Sequence, residues 1–207
     1  MAAPIRLALL LLAEAAVAFA TLSFELTAAR LVAPFAGLST DTWIAIIAAF
    51  LAALALGNVA GGTIASRVEP RRGLHAAAVA SVAGAAAIAV VPILLSSWSA
   101  TLLSSPPFGM ARLVAFAAFP FMPAGFLLGV ATPLLAAAAI AGIERTGRVI
   151  GLFYAAGAGG SFVGALATLW VLHDRFGLRI TVAALAIGLI VTAALILGLA
   201  QPERAQA

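Results

Sequence analysis

The sequence predicts an all-α integral membrane protein, a bundle of about six transmembrane helices with both termini cytoplasmic. Three observations carry this. Of 207 residues, 65% are hydrophobic and 9% charged, and the mean hydropathy is +1.21. A soluble domain is about half apolar and about a quarter charged. Too few polar side chains remain to clothe a water-facing surface, which excludes a soluble enzyme and a disordered chain. Second, apolar runs of the ~20 residues that cross a bilayer recur along the sequence and use most of its length. No soluble catalytic domain of ~100 residues fits in what is left of residues 1–207, which read as one transmembrane domain. Third, no strand alternation is visible, and helices satisfy their own backbone, as lipid demands.

Each run has its own boundary signals. The first spans about residues 7–32, ended by Pro34 and Gly37. The second spans about 43–65 and is followed by the polar stretch Ser66 to Gly73. The third spans about 74–95, after which SSWSATLLSSPPFG reads as a loop with a short interfacial turn. A fourth run, about 110–141, carries Pro120, Pro123 and Pro133. At ~1.5 Å per residue it exceeds one bilayer, so it is either one long kinked helix or a helix with a broken end. The fifth and sixth runs span about 149–172 and 178–200. The start imitates a signal peptide, with an apolar run ending in Ala18-Phe19-Ala20. Glu14 interrupts that run and apolar sequence continues to Val32, so a retained first span is expected.

Charge sets the orientation. All eleven basic residues are arginine, scattered singly at the ends of apolar runs with no basic stripe, so nucleic acid is not an expected partner. With the N-terminus inside, Arg6, Arg67, Arg71, Arg72, Arg145, Arg148 and Arg204 face the cytoplasm, against Arg30, Arg112, Arg175 and Arg179 outside. This bias, heaviest in the Arg67–Arg72 loop, places both termini in the cytoplasm. There is no cysteine, which excludes disulfides, thiolate metal sites and cysteine nucleophiles.

Ionisable groups inside a membrane are costly and are therefore functional candidates. Glu14 and Glu25 are eleven residues apart, close to three helical turns, and share a face near Thr21. At ~16 Å along the helix they suit steps of a cation path and not an acid–base pair. The structural alternative pairs Glu25 with Arg30 and hydrogen-bonds Glu14 to a neighbouring helix. Asn58 is expected to bond across helices. Asp41 is expected to cap the second helix. His75 and His173 lack partners at metal spacing, so no metal and no cofactor is expected. No base is placed beside a Ser or Thr nucleophile, so no enzyme is expected. Gly57 with Gly61, Gly125 with Gly129, and Gly160 with Gly164 form Gly-x-x-x-Gly pairs, which let helices approach closely, within the chain or between chains. The run Gly157 to Gly160 lacks the third glycine and the preceding strand of a dinucleotide fingerprint.

Four segments, taken in order, resemble a known family. They are Phe24 to Leu31 with Phe35 to Thr40; Phe50 to Asn58 running on to Arg67; Pro123 to Leu135; and Gly147 to Ala156 continuing through Gly164 to Leu178. Their order and spacing resemble the membrane domain of the fused, membrane-bound spermidine synthase-like proteins. In that family the membrane domain precedes a soluble aminopropyltransferase-like domain. Its Gly-rich loop and catalytic aspartates have no counterpart in residues 1–207, so the resemblance carries no aminopropyl transfer. Gly157 stands where the family typically has Asn. The loop Gly62 to Arg72 is similar, more distantly, to a cytoplasmic loop of major facilitator transporters, with Ser66 where that family has Asp.

The sequence therefore leads to a non-catalytic multi-pass subunit or scaffold of a larger complex, in a bacterial cytoplasmic membrane. Its expected partners are the lipid bilayer and other membrane or membrane-associated subunits, or a second copy. An outward glycine face such as that of Gly160 would make the contact. The alternative is a small-molecule or cation carrier, of protons or polyamines, working as a dimer of six-helix halves.

Overall fold

The computed structural model describes residues 3–102, 110–143 and 146–201, and helix is the regular structure throughout them. The elements are α1 (Ala3–Ala36), α2 (Thr40–Ala65), α3 (Pro70–Leu102), α4 (Met110–Ile140), α5 (Thr146–Ala167), a π-helical segment (Thr168–Phe176) and α6 (Gly177–Ala200). Five helical stretches are long and apolar enough to cross a membrane, the last being the continuous run Thr146–Ala200. The outward faces are apolar, with Val59, Val79, Phe162 and Val191 all exposed. Apolar outward faces of this kind suit contact with lipid.

Several boundaries differ from the sequence reading, each for a local reason. Pro34 lies inside α1, and the helix closes at Gly37, whose φ of 74° lets its N–H reach the Ala33 carbonyl. Left-handed backbone of this kind suits glycine. Ser39, not Asp41, caps α2, its hydroxyl accepting from the Thr42 N–H at 3.1 Å. Asp41 sits in the first turn, where a negative charge favours the helix dipole. The expected loop after residue 95 is helical as far as Leu102. Ser96 and Ser97 turn their hydroxyls back to the Ile93 carbonyl, so their polarity is absorbed by the helix itself. The remainder of that loop, 103–109, lies outside the described residues. The fourth run is one continuous helix with all three prolines inside it. The interval between the fifth and sixth runs, at His173, is part of the π-helical segment, which carries α5 on to Gly177.

Each helix reverses the direction of the one before. Close approaches of Gly160 to Ala15, Gly164 to Phe19 and His173 to Thr27 run α5 and its π-segment parallel to α1. At Gly177, φ 73°, the chain turns back. Arg179 then lies beside Pro92 and Ser96 of α3, and Ala200 beside Arg71, whose Nε donates to its carbonyl at 2.8 Å. A cation at that carbonyl end caps α6. The starts of α1, α3 and α5 and the ends of α2, α4 and α6 thus share one end of the bundle. Among the described residues this end holds Arg6, Arg67, Arg71, Arg72 and Arg148. The opposite end holds Arg30, Arg112, Arg175 and Arg179. Arg145 and Arg204 lie outside the described residues.

Two helices organise the core. α4 packs against α2 and α3, and α1 packs against α4, α5 and α6. Phe24 of α1 joins these layers, its ring centroid 6.0 Å from Phe50 of α2 and 5.8 Å from Phe121 of α4. All three rings are fully buried. Tilted aromatic contacts of this kind add ~0.5–1.5 kcal/mol beyond burial.

Candidate functional site: a buried carboxyl at the junction of three helices

Apolar residues such as Leu10, Ala13 and Val17 turn one face of α1 into the core, and Glu14 is carried in with them. It is 5% exposed. Oε1 accepts a hydrogen bond from the Thr132 hydroxyl of α4 at 3.3 Å. Oε2 is buried without a protein partner. From α5, Gly157 makes the space: a Cβ there would stand 3.1 Å from Oε1. In hydrocarbon such a carboxyl persists only when a proton or another cation balances its charge. The site therefore has the chemistry of a cation-binding group held by one hydroxyl and one glycine.

Thr132 has a second exposure. It lines a cleft of about 490 Å³ between α2, α4 and α5, together with Asn58, Pro133, Ile150, Phe153 and Tyr154. The cleft reaches Ile140 and Ile150, near the end of the bundle where α4 stops and α5 starts. Asn58 and Tyr154 are exposed on its rim. No hydrogen bond joins Asn58 to another helix among the described residues, so the expected cross-helix bond is absent. Its side chain points out of the α2/α4 contact, which Gly57 and Gly61 occupy.

The other candidates separate. Glu25 is half-buried and Arg30 exposed, and no ion pair joins them among the described residues. Glu25 thus does not share the Glu14 site, although both lie on α1. The hydroxyl of Thr21 bonds back to the Val17 carbonyl at 2.8 Å. Arg67 and Arg72 are exposed at the bundle end, beside Arg71. The glycine pairs are interior. A Cβ on Gly57 would collide with the backbone of Phe126, one on Gly61 with Val130 and Pro133, and one on Gly129 with Leu54. One on Gly125 would press on Ala53 and Phe50. Gly160 and Gly164 meet the backbones of Ala15 and Phe19 in the same way. This corrects the expectation of an outward glycine face at Gly160. α1 already fills it.

One cluster had no warning in the sequence. Thr27 of α1 and His173 of the π-segment are both buried, with Oγ1 and Nε2 3.0 Å apart. Ser23, one turn earlier, donates to the Gly164 carbonyl at 3.2 Å. The Thr168 hydroxyl and His173 Nδ1 are buried without protein partners. Hydroxyls four residues apart in an apolar helix are a weak signal, and the π-turn that delivers His173 has none. No group of three or more His, Asp or Glu gathers to hold a metal among the described residues.

No family model matches the chain, and no curated protein or solved structure is significantly similar to it.

Proposed function

We propose that the protein crosses the membrane six times, with both termini cytoplasmic, and carries a small cation through the site at Glu14. The reversal at Gly177 supports counting the last apolar stretch as two crossings. The excess of arginine at the end shared by α1 and α6 supports the orientation. The observation that carries the function is the buried Glu14 carboxyl, with one oxygen unpartnered and Thr132 linking it to an open cleft. The resemblance to the spermidine synthase-like membrane domain belongs to the same proposal, and so does the bacterial cytoplasmic membrane. The test is flux in liposomes containing the purified chain. Wild-type protein should raise cation flux above that of empty vesicles, and Glu14→Gln should return it to background while eluting as the wild type does. Wild-type flux in Glu14→Gln would remove Glu14 from the mechanism.

A second reading is the non-catalytic subunit. It is favoured by Asn58 and Tyr154, polar groups exposed on the flank of a membrane bundle, where a protein neighbour satisfies them better than lipid does. Native mass spectrometry of protein extracted gently from its own membranes separates the two. A stoichiometric foreign chain supports the subunit, and a lone monomer or homodimer removes it.

A further inference from the structure

Three buried polar side-chain atoms lack protein partners among the described residues: Glu14 Oε2, Thr168 Oγ1 and His173 Nδ1. Glu14 and His173 lie where α1 meets α5 and its π-segment, and Thr168 is buried on that segment. Between them run further hydroxyls of the same seam. Ser161 donates to the Ala18 carbonyl at 3.4 Å and Ser23 to the Gly164 carbonyl at 3.2 Å. We propose that the α1/α5 seam is a proton path, with Glu14 and His173 as its two titratable stations and the hydroxyls of Ser161, Ser23 and Thr27 between them. This rests on the reading of Glu14 as a cation-binding group and adds which cation it is.

The seam's width selects the ion. Gly160 and Gly164 bring α5 onto the backbones of Ala15 and Phe19, where a single added Cβ finds no room. A hydrated metal ion does not pass such a contact. A proton passes between hydroxyls and single waters without a channel wide enough for an ion. From Glu14 to Thr27 is 13 residues, ~20 Å along α1, out of a hydrocarbon thickness of ~30 Å. Along α1 the stations stand at the levels of residues 14, 18, 23 and 27. Those steps of four or five residues are ~6–8 Å, a span for one or two waters lying beside the glycine contacts and not through them.

The hydrogen bonds fix how His173 takes part. The Thr27 hydroxyl has one proton and donates it to the Ser23 carbonyl at 2.7 Å. In its 3.0 Å contact with His173 it is therefore the acceptor, and Nε2 carries the hydrogen. Nδ1 is left as the open base. A proton taken up at Nδ1 is matched by release of the Nε2 proton to Thr27 Oγ1. Thr27 turns its own proton from the Ser23 carbonyl to Ser23 Oγ, Ser23 passes its own to Ser161, and Ser161 gives its proton to the Glu14 carboxylate, each hydroxyl taking one proton and losing one. The ring ends neutral in the other tautomer, and one proton has moved. Arg30 of α1 and Asp174 of the π-segment are the charged neighbours that act on the ring. π-turns inside α-helices are frequent at functional sites, and here the turn sets His173 against Thr27.

The experiment is proton uptake by liposomes holding the full chain and a trapped pH dye, driven by a potassium diffusion potential. Wild type should acidify the lumen. Glu14→Gln, His173→Gln and Thr27→Val should each slow it at least tenfold, and Thr27→Ser should restore it. A second readout needs no variant of the path. The imidazole ¹⁵N shifts of wild-type His173, assigned against His75→Gln, should report hydrogen on Nε2. Hydrogen on Nδ1 overturns the proposal. Wild-type proton flux in His173→Gln, with flux lost in Glu14→Gln, also overturns the path and leaves the Glu14 site standing. So does a wild type that moves sodium or potassium but no protons. If no cation moves at all, both readings fall.

Discussion

The α2/α4 and α1/α5 seams are built with one device and put to different uses. In both, paired glycines one turn apart bring two backbones into contact. Gly57 and Gly61 face Gly129, Val130 and Pro133 in the first, and Gly160 and Gly164 face Ala15 and Phe19 in the second. Along the first seam α2 buries Ala45, Ala49, Phe50 and Ala53, and among the described residues no ionisable group is buried between the helices. The second buries Glu14, Ser23, Thr27 and His173. Close packing in a membrane draws on van der Waals contact because lipid is as apolar as the side chains. The first seam draws on that alone. The second spends the same closeness on excluding lipid from polar groups, although Glu14 Oε2 and His173 Nδ1 are buried there without a protein partner.

The largest expected effect breaks the purely structural seam. Gly57→Leu drives a side chain into the Phe126 carbonyl, and neither backbone can yield. Overpacking a core costs ~1–3 kcal/mol and more where backbone must move. This variant should fail to yield monodisperse protein by size exclusion in detergent. A normal elution profile and unchanged melting temperature would show that α2 and α4 are not locked together. Next comes Gly160→Leu, which meets Ala15 backbone and should lose both the fold's thermal stability and cation flux. Loss of flux at an unchanged melting temperature would mean that the α1/α5 seam is looser than the α2/α4 seam.

The sequence made the packing legible and the polar chemistry only partly so. Gly-x-x-x-Gly spacing marks small faces whatever they meet, so all six glycines could be named, but spacing does not say which helix they meet. Gly160 was readable as an outward contact for that reason. Glu14 was legible because a carboxyl in an apolar run is rare, yet Thr132 lies 118 residues away and nothing local pairs them. Asn58 was misjudged because its amide stands one position beyond Gly57, and in a helix that rotates it ~100° out of the contact. His173 looked like a loop residue, since His-Asp-Arg before Phe-Gly is polar and followed by a turn. Nine residues of π-helix are too short a run for its period to be read from sequence.

Glu14→Gln sharpens the comparison without touching the packing. The amide keeps an oxygen for the Thr132 hydroxyl and removes the charge. Stability should change by less than ~1 kcal/mol, the range of substitutions that leave no cavity and no new unpaired charge. A thermal melt checks this alongside the flux assay. A fall of several degrees would assign Glu14 to the structure and leave the two seams alike in function.

The smallest expected effect separates glycine as spacer from glycine as neighbour. Gly157→Ala puts a Cβ 3.1 Å from Glu14 Oε1, tighter than ordinary contact, while Gly159→Ala, two residues on, meets nothing within 4 Å. Both replace a poor helix former with the best one, a gain of up to ~1 kcal/mol. Gly159→Ala should therefore raise the melting temperature slightly and leave flux unchanged. In Gly157→Ala the carboxyl has to shift by a few tenths of an ångström. Its bond to Thr132 is already long at 3.3 Å, so it weakens first. Flux should fall several-fold while the gain in helix stability cancels against the contact, giving a melting temperature near wild type. Equal flux in the two variants would mean that the carboxyl does not need the position Gly157 leaves for it. The space there would then serve packing, as it does at Gly57.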